Sequence, residues 1–516
     1  MRSTSGNSPA AERSRLAVAL ALLVLVAHLV TNLASPYELH RDEFLYLAMG
    51  EHLRLFTMDF PPFIALVARA ERALLGDGMW AIRFVPMVCH AALVLLAAAT
   101  ARALGGRRVA QGIAALAVAT SPIFLRPGNL FQPVILDQLW WTLALYALLR
   151  LSAAPADDPA PRWWLALGLA MGLGLLTKFS IVFIGAGTAV ALLVTPLRRR
   201  LLTPWPWMAL LIALVIGLPS LVGQIRLGWP VMGQVADLQS IQLERVTPLT
   251  FVGEQLLFGP LVLVALVGVW WGWRQAEQRA RPVVVACVGA FALLLLLHGK
   301  SYYAGPIYPA LAAVGATALE GWTTRLGRAL RSAAEVALVV YGLMLLPLGL
   351  PIVPPGPMAR YATTLGLTGA TTTNRGTVLE LPQDYADMLG WKAIVGQAAQ
   401  VWHGLTPDDR ARAVLLAGNY GEAGALDFYG PALGLPKALC ACGSYWFFGP
   451  GSKAGEVAVT VGVAGADLKP FFREARLVAR LINSHAVPEE QVVSIAVARR
   501  PYRSLQAVWP GLSGHN

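Results

Sequence analysis

The chain has 516 residues, 56% of them hydrophobic and only 14% charged, where soluble domains run nearer 45–50% and about 25%. A soluble chain of this length divides into several domains, each needing a charged surface, so the composition excludes an all-soluble protein and a disordered one. The net charge of +12, from 41 Lys and Arg against 29 Asp and Glu, sits mostly in short connections between apolar runs. That is the mark of membrane topology, and no nucleic-acid partner is expected.

A spanning helix needs about 20 predominantly apolar residues. Such stretches lie near 16–34, 80–101, 109–125, 133–149, 163–177, 179–196, 205–222, 249–273, 282–298, 303–320 and 333–352. The pattern predicts a mainly α polytopic membrane protein with about eleven transmembrane helices over residues 1–352. The first stretch follows Arg13 and Arg15 and reads as an uncleaved helix. Arginines crowd one set of loops, with Arg102, Arg107 and Arg108, then Arg198, Arg199 and Arg200, then Arg325, Arg328 and Arg331. That side is expected to be cytoplasmic, with the N-terminus. Loop 36–79 and the tail then face the periplasm of a multi-pass bacterial inner-membrane protein. Within that loop, segment 63–75 mixes apolar and charged residues in the manner of a helix lying along a membrane surface.

Past the Pro-rich stretch Pro351–Pro357 the composition turns polar, and residues 353–516 suffice for a soluble α/β domain. Segments 412–418 and 456–463 read as short buried strands, and 466–482 as a helix. Cys89 and Cys287 fall in apolar runs and read as packing residues. Cys440 and Cys442 read as too close in sequence for an easy mutual disulfide.

The outer side collects the residues suited to chemistry. His40-Arg41-Asp42-Glu43 follows the first span, and on a helix Asp42 shares a face with Tyr46 while Glu43 points about 100° away. A carboxylate there can act as a general base or can simply cap a helix. Asp59, in Asp59-Phe60-Pro61-Pro62, reads as a turn acid or a ligand for a divalent cation. Asp137 opens the fourth span, where an acid is costly without a purpose. Lys178 and Lys300 stand on the outer side against the charge trend, Lys300 followed by Tyr302 and Tyr303. They suit an anionic partner such as a lipid phosphate, or a role as snorkelling anchors. Gathered on one face, acids and lysines suggest transfer from an anionic lipid donor to a nucleophile. A lipid or sugar transporter or flippase is the alternative, but its polar residues belong mid-span.

The ordered motifs Arg41-Asp42-Glu43-Phe44-x-Tyr46, Asp59-Phe60-Pro61-Pro62, Leu136-Asp137, Leu176-Thr177-Lys178 and Gly299-Lys300-x-Tyr302-Tyr303 resemble the GT-C glycosyltransferases that include protein O-mannosyltransferases and the aminoarabinose transferase of lipid A. Asn419-Tyr420-Gly421-Glu422 and Ser444-Tyr445-Trp446 look like the tail of the bacterial branch. The resemblance implies inverting transfer of a sugar from a polyprenyl phosphate to a hydroxyl on a glycolipid, polysaccharide or protein. It implies Asp42 as base, Asp137 as an orienting acid, and Lys178, Lys300, Tyr302 and Tyr303 around the donor phosphate. Arg41, Glu43 and Tyr46 support them. Asp59 falls where some relatives bind a metal ion, although Phe60 stands where Lys or His is usual.

Overall fold

The computed structural model describes residues 14–241, 243, 246–274, 279–373, 375–463 and 465–512. The expectation that the N-terminus is cytoplasmic concerns residues outside that set. Each apolar stretch of the sequence coincides with helix. Four helices are long and apolar enough to cross a membrane: Arg15–Ala34, Phe84–Ala103, Pro133–Ala153 and Pro204–Arg226. Three bent pairs also qualify if each is one span: Arg108–Thr120 with Pro122–Gly128, Ile181–Val194 with Pro196–Leu202, and Pro248–Phe258 with Pro260–Arg274, bent by 60°, 97° and 108°. Length and composition thus give four crossings among the described residues, or up to seven if each bent pair is one span, with Arg281–Leu296 a shorter apolar helix. Hydropathy of the sequence ignores the bends that shorten continuous helix. It also ignores the charge on Arg325–Met344, which puts Arg325, Arg328, Arg331 and Glu335 on a 20-residue helix.

Several of these helices begin with proline in the first turn, as at Pro133, Pro161, Pro204 and Pro248. The missing N–H costs nothing there, and the fixed φ suits a helix start. Glycines set the closest approaches: a Cβ on Gly315 would lie 1.9 Å from the Val264 carbonyl oxygen, and one on Gly268 2.2 Å from that of Leu311. Such seams let helix backbones pack directly in lipid. Far from the acids of loop 36–79, Glu320 caps the helix Arg108–Thr120 by accepting from the amides of Arg107, Val109 and Ala110 at 2.6, 3.1 and 3.3 Å.

Loop 36–79 folds into the helices Arg41–Glu51 and Phe63–Leu75. The second has the bounds the sequence suggested. The tail builds a five-stranded mixed sheet in the order β2-β1-β3-β5-β4, from β1 (Ala413–Ala417), β2 (Ala438–Leu439), β3 (Val457–Val461), β4 (Phe472–Ile482) and β5 (Val492–Pro501). β2, β1 and β3 run parallel, while β5 is antiparallel to β3 and β4. β1 and β3 match the expected strands. The helix expected over 466–482 is corrected: Gly465–Leu468 forms one short turn, and Phe472–Ile482 is an edge strand paired along β5. Its Arg, Glu, Ala and Leu residues favour helix locally, and pairing with β5 overrides that preference. The reading of the tail cysteines is also corrected, because Cys440 and Cys442 form a disulfide with Cα atoms 5.2 Å apart. That spacing lies inside the range a disulfide accepts. Cys89 and Cys287 are buried free thiols, as expected.

The tail packs onto the loop without a gap. The helix Tyr420–Tyr429 crosses Arg41–Glu51, and a Cβ on Gly424 would sit 2.5 Å from the Phe44 Cβ. Phe44 in turn meets Trp391, Phe428 and Tyr429 at ring-centroid distances of 5.7, 5.9 and 5.7 Å. A second cluster joins Tyr37 and Leu130 to Met358, Leu381, Tyr385 and Met388.

Candidate active site

The two neighbouring acids of the first loop have opposite fates. Glu43 turns inward and is fully buried. It accepts from Arg83 Nε and Nη2 at 2.8 and 2.7 Å, from the Phe131 amide at 2.7 Å, and from the His40 amide at 2.7 Å. Burial alone raises a carboxyl; the Arg83 guanidinium outweighs it and holds Glu43 below its ordinary range. Arg83, itself buried, completes its fork on Asn32 Oδ1 at 3.0 Å. Glu43 therefore ties the loop to the bundle.

Asp42 turns the other way, with 31% of its side chain exposed. The helix start fixes it: the Asp42 amide donates to His40 Nδ1 at 3.1 Å, within a capping box closed by Glu43. Accepting at Nδ1 leaves the ring proton on Nε2, which faces Asp387 and Asp384 at 3.6 and 3.7 Å. Each Asp42 oxygen receives one donor, Tyr420 Oη on Oδ1 at 2.9 Å and Gln132 Nε2 on Oδ2 at 3.1 Å. A carboxylate held this way keeps lone pairs for an incoming hydroxyl proton.

The lysines gather nearby. Lys178 ends the helix Pro161–Thr177, and its Nζ lies 4.7 Å from the Tyr303 ring centroid. Lys300 precedes the turn Ser301–Ile307, with its Nζ 5.8 Å from the Tyr302 ring centroid. The two rings meet edge to face at 4.7 Å. Burial, and then the charge of Lys178, push the Lys300 amine down to about 8 against the pull of Asp42 and Asp384. Lys178, Lys300, Asp42 and Asp384 thus share one electrostatic environment. Tyr46 is buried on the Asp42 face, its ring 6.2 Å from Phe60.

Asp137 is 3% exposed and both its oxygens are taken, Oδ1 by Trp141 Nε1 at 3.0 Å and Oδ2 by Ser180 Oγ at 2.6 Å. It anchors the turn that carries Lys178. Beside that turn, an apolar cavity of about 460 Å3 runs between the helices Pro161–Thr177, Ile181–Val194 and Pro204–Arg226. Asp59 faces the tail, accepting from Ser444 Oγ at 2.7 Å, and its carbonyl accepts from Gln224 at 2.7 Å. Burial raises its carboxyl, opposed by the Ser444 bond. Among the described residues no three His, Cys, Asp or Glu side chains cluster as candidate metal ligands. Asp59 has Ser444 as its side-chain partner.

The structure adds partners from far along the chain. Arg41 lies 3.6 Å from Asp387 and 4.8 Å from the Tyr420 ring centroid. Arg126 binds Asp384 at 2.9 Å beneath the Tyr385 ring. Asp384 and Asp387 sit in a stretch of sequence with no motif or periodicity to single them out. Tyr420 lies in a stretch that resembles the family tail, yet nothing local ties it to Asp42.

Residues 59–222 match the family model described as dolichyl-phosphate-mannose-protein mannosyltransferase. The lipid A galacturonosyltransferase RgtD of Rhizobium johnstonii is 26% identical over 291 residues, covering 54% of this chain. The chain spans 59% of that relative's length. ArnT from Cupriavidus metallidurans, in a crystal structure bound to undecaprenyl phosphate, superposes with a TM-score of 0.61 at 18% identity, over 93% of this chain and 97% of that one. Its apo form gives 0.60 at 18% identity, over 97% and 98%. The fold is therefore that of the ArnT structures, and residues 59–222 resemble the mannosyltransferase family model.

Proposed function

We propose that the chain is an integral membrane glycosyltransferase moving a sugar from a polyprenyl-phosphate donor to a hydroxyl of a glycolipid, polysaccharide or protein, with inversion, at the outer membrane face. The observation that carries the reading is the pairing of Lys178 and Lys300 across the touching rings of Tyr303 and Tyr302, with Asp42 among the charges acting on Lys300. Two ammonium groups repel each other in a partly buried site, and a phosphate relieves that repulsion. In this reading Asp42 takes the proton as the acceptor oxygen attacks the anomeric carbon. The bond from that carbon to the phosphate oxygen breaks, and the two lysines with Tyr302 and Tyr303 hold the charge that grows on the leaving phosphate. Asp137, its oxygens already occupied, acts by fixing the Ser180 turn and with it Lys178. The apolar cavity beside that turn suits a prenyl tail. No step is routed through a metal ion.

The same reading has a membrane unit over 1–352 with about eleven crossings, several shortened or bent, and a periplasmic α/β domain over 353–516. It is supported by the outward gathering of polar residues and by the arginine-rich loops on the other side. The test is turnover by the purified protein in lipid nanodiscs. Undecaprenyl-phosphate-linked hexose, uronic acid and aminopentose are offered with lipid A or a peptide acceptor, and the product anomer is read by NMR. Transfer from one donor with inversion is expected; no transfer from any of them, or retention, overturns the reading.

A further inference from the structure

We propose that Tyr420, supplied by the tail, is a positioning residue for the Asp42 base, so that the site is incomplete until the tail is docked. The proposal rests on the reading of Asp42 as general base. Tyr420 is the first residue of the helix that follows β1, where parallel strands deliver functional side chains. Its backbone is fixed before its side chain is used. Asn419 caps the helix, and Glu422 reaches back to the amides of Gly418 and Asn419 at 2.9 and 3.2 Å. The hydroxyl then donates to Asp42 Oδ1 at 2.9 Å across 378 positions of sequence. The Arg41 guanidinium lies over the ring, so the tyrosine is held by its face while its hydroxyl is spent on the acid.

A second, independent feature aligns the two helices. Gly424 lies against Phe44, where a Cβ would meet the Phe44 Cβ at 2.5 Å and its carbonyl carbon at 3.0 Å. Gly421 lies against Arg41, with a Cβ 3.1 Å from that of Arg41. A Cβ only 2.5 Å from the Phe44 Cβ, an atom fixed to its backbone, demands a shift of the helix, and Tyr420 moves with it. Gln132 holds the other oxygen from the bundle side. The carboxylate is thereby gripped both from the bundle and from the tail, and its orientation reports whether the two are seated. Losing one grip leaves the carboxylate held by a single hydrogen bond, and a base must be in hydrogen-bond reach and aligned to act.

The experiment compares Tyr420→Phe, Gly424→Ala and Asp42→Asn in nanodiscs, reading kcat and donor KM for whichever donor of the panel above supports transfer, with undecaprenyl phosphate affinity as the measure of the donor site. Tyr420→Phe keeps the ring under Arg41 and removes only the hydroxyl. It is expected to lower kcat about 10–100-fold, the range for a hydrogen bond to a charged group, with donor KM and undecaprenyl phosphate affinity unchanged. Gly424→Ala is expected to lower kcat likewise, and adding Tyr420→Phe to it to cost little more. Wild-type kcat in Tyr420→Phe overturns the proposal, as does a loss that appears in donor KM, which makes Tyr420 a donor contact. If Asp42→Asn remains active, the base reading fails. If Asp42→Asn is inactive while Tyr420→Phe is wild type, only the positioning role fails.

Discussion

Breaking the Glu43–Arg83 pair by Arg83→Met removes two charge-assisted bonds to Glu43, at 2.8 and 2.7 Å, and a third to Asn32 at 3.0 Å. Both side chains of the ion pair have no solvent exposure. The methionine fills much of the arginine's volume, so the loss is electrostatic rather than a cavity. Glu43 keeps the amides of Phe131 and His40 but loses the cation that pairs with it, and an uncompensated buried charge costs about 3–5 kcal/mol. The double variant Glu43→Gln with Arg83→Met removes both charges, and the penalty is expected to fall to about 1 kcal/mol, since a buried ion pair contributes little net stability over neutral groups of similar volume. Thermal unfolding of detergent-solubilised protein, followed by size-exclusion of a fluorescent fusion, ranks the three forms. The sign with pH follows from the lowered Glu43 carboxyl. Its contribution to stability is present above the ordinary carboxylate value and is lost as pH falls through the depressed one. Arg83→Met as stable as wild type, or a double variant no better than the single one, refutes the assignment of Glu43 to structure.

Asp42→Asn is expected to lose about 10²–10⁴-fold in kcat with donor binding kept, whereas Glu43→Gln lowers stability first; steady-state kinetics beside melting curves separate the two. Lys300→Ala is expected to raise donor KM, and wild-type donor affinity is expected to fall as pH rises through about 8, where the Lys300 amine loses its proton; undecaprenyl phosphate titrations at pH 6.5 to 9.5, a range chosen on the order of the ordinary and shifted lysine values, check this against the alanine variant, which should be flat. Glu320→Ala strips three amides at the start of Arg108–Thr120 of their acceptor, and a fall in stability of about 1–3 kcal/mol is expected with catalytic constants unchanged. A phosphatase reporter fused after Pro357 is expected to be active, as a periplasmic tail requires, and an inactive reporter with an active cytoplasmic one reverses the topology.

The sequence by itself determined what depends on neighbours within a few positions. Apolar runs place the helices because burying apolar side chains in lipid needs no knowledge of the partner. The 100° step along a helix separated Asp42 from Glu43, and Asp42 is indeed partly exposed while Glu43 is buried. Within 412–418 and 456–463, the segments Ala413–Ala417 and Val457–Val461 are strands because they are apolar except for Thr460, as the interior of a sheet requires. Tertiary structure decided the rest. Bends at Ser121, Thr195 and Gly259 set how far each apolar run continues as one helix. Phe472–Ile482 is a strand only because β5 offers it a ladder of hydrogen bonds. Cys440 and Cys442 join because the backbone between them brings their Cα atoms to 5.2 Å. Asp59 meets Ser444, Arg41 meets Asp387, and Asp42 meets Tyr420 across hundreds of residues. Those pairings depend on the docking of the tail against the first loop, through glycines at Gly421 and Gly424 that carry no side-chain pattern of their own to read. Local sequence fixes which way a side chain leaves its helix, and only packing fixes what it finds there.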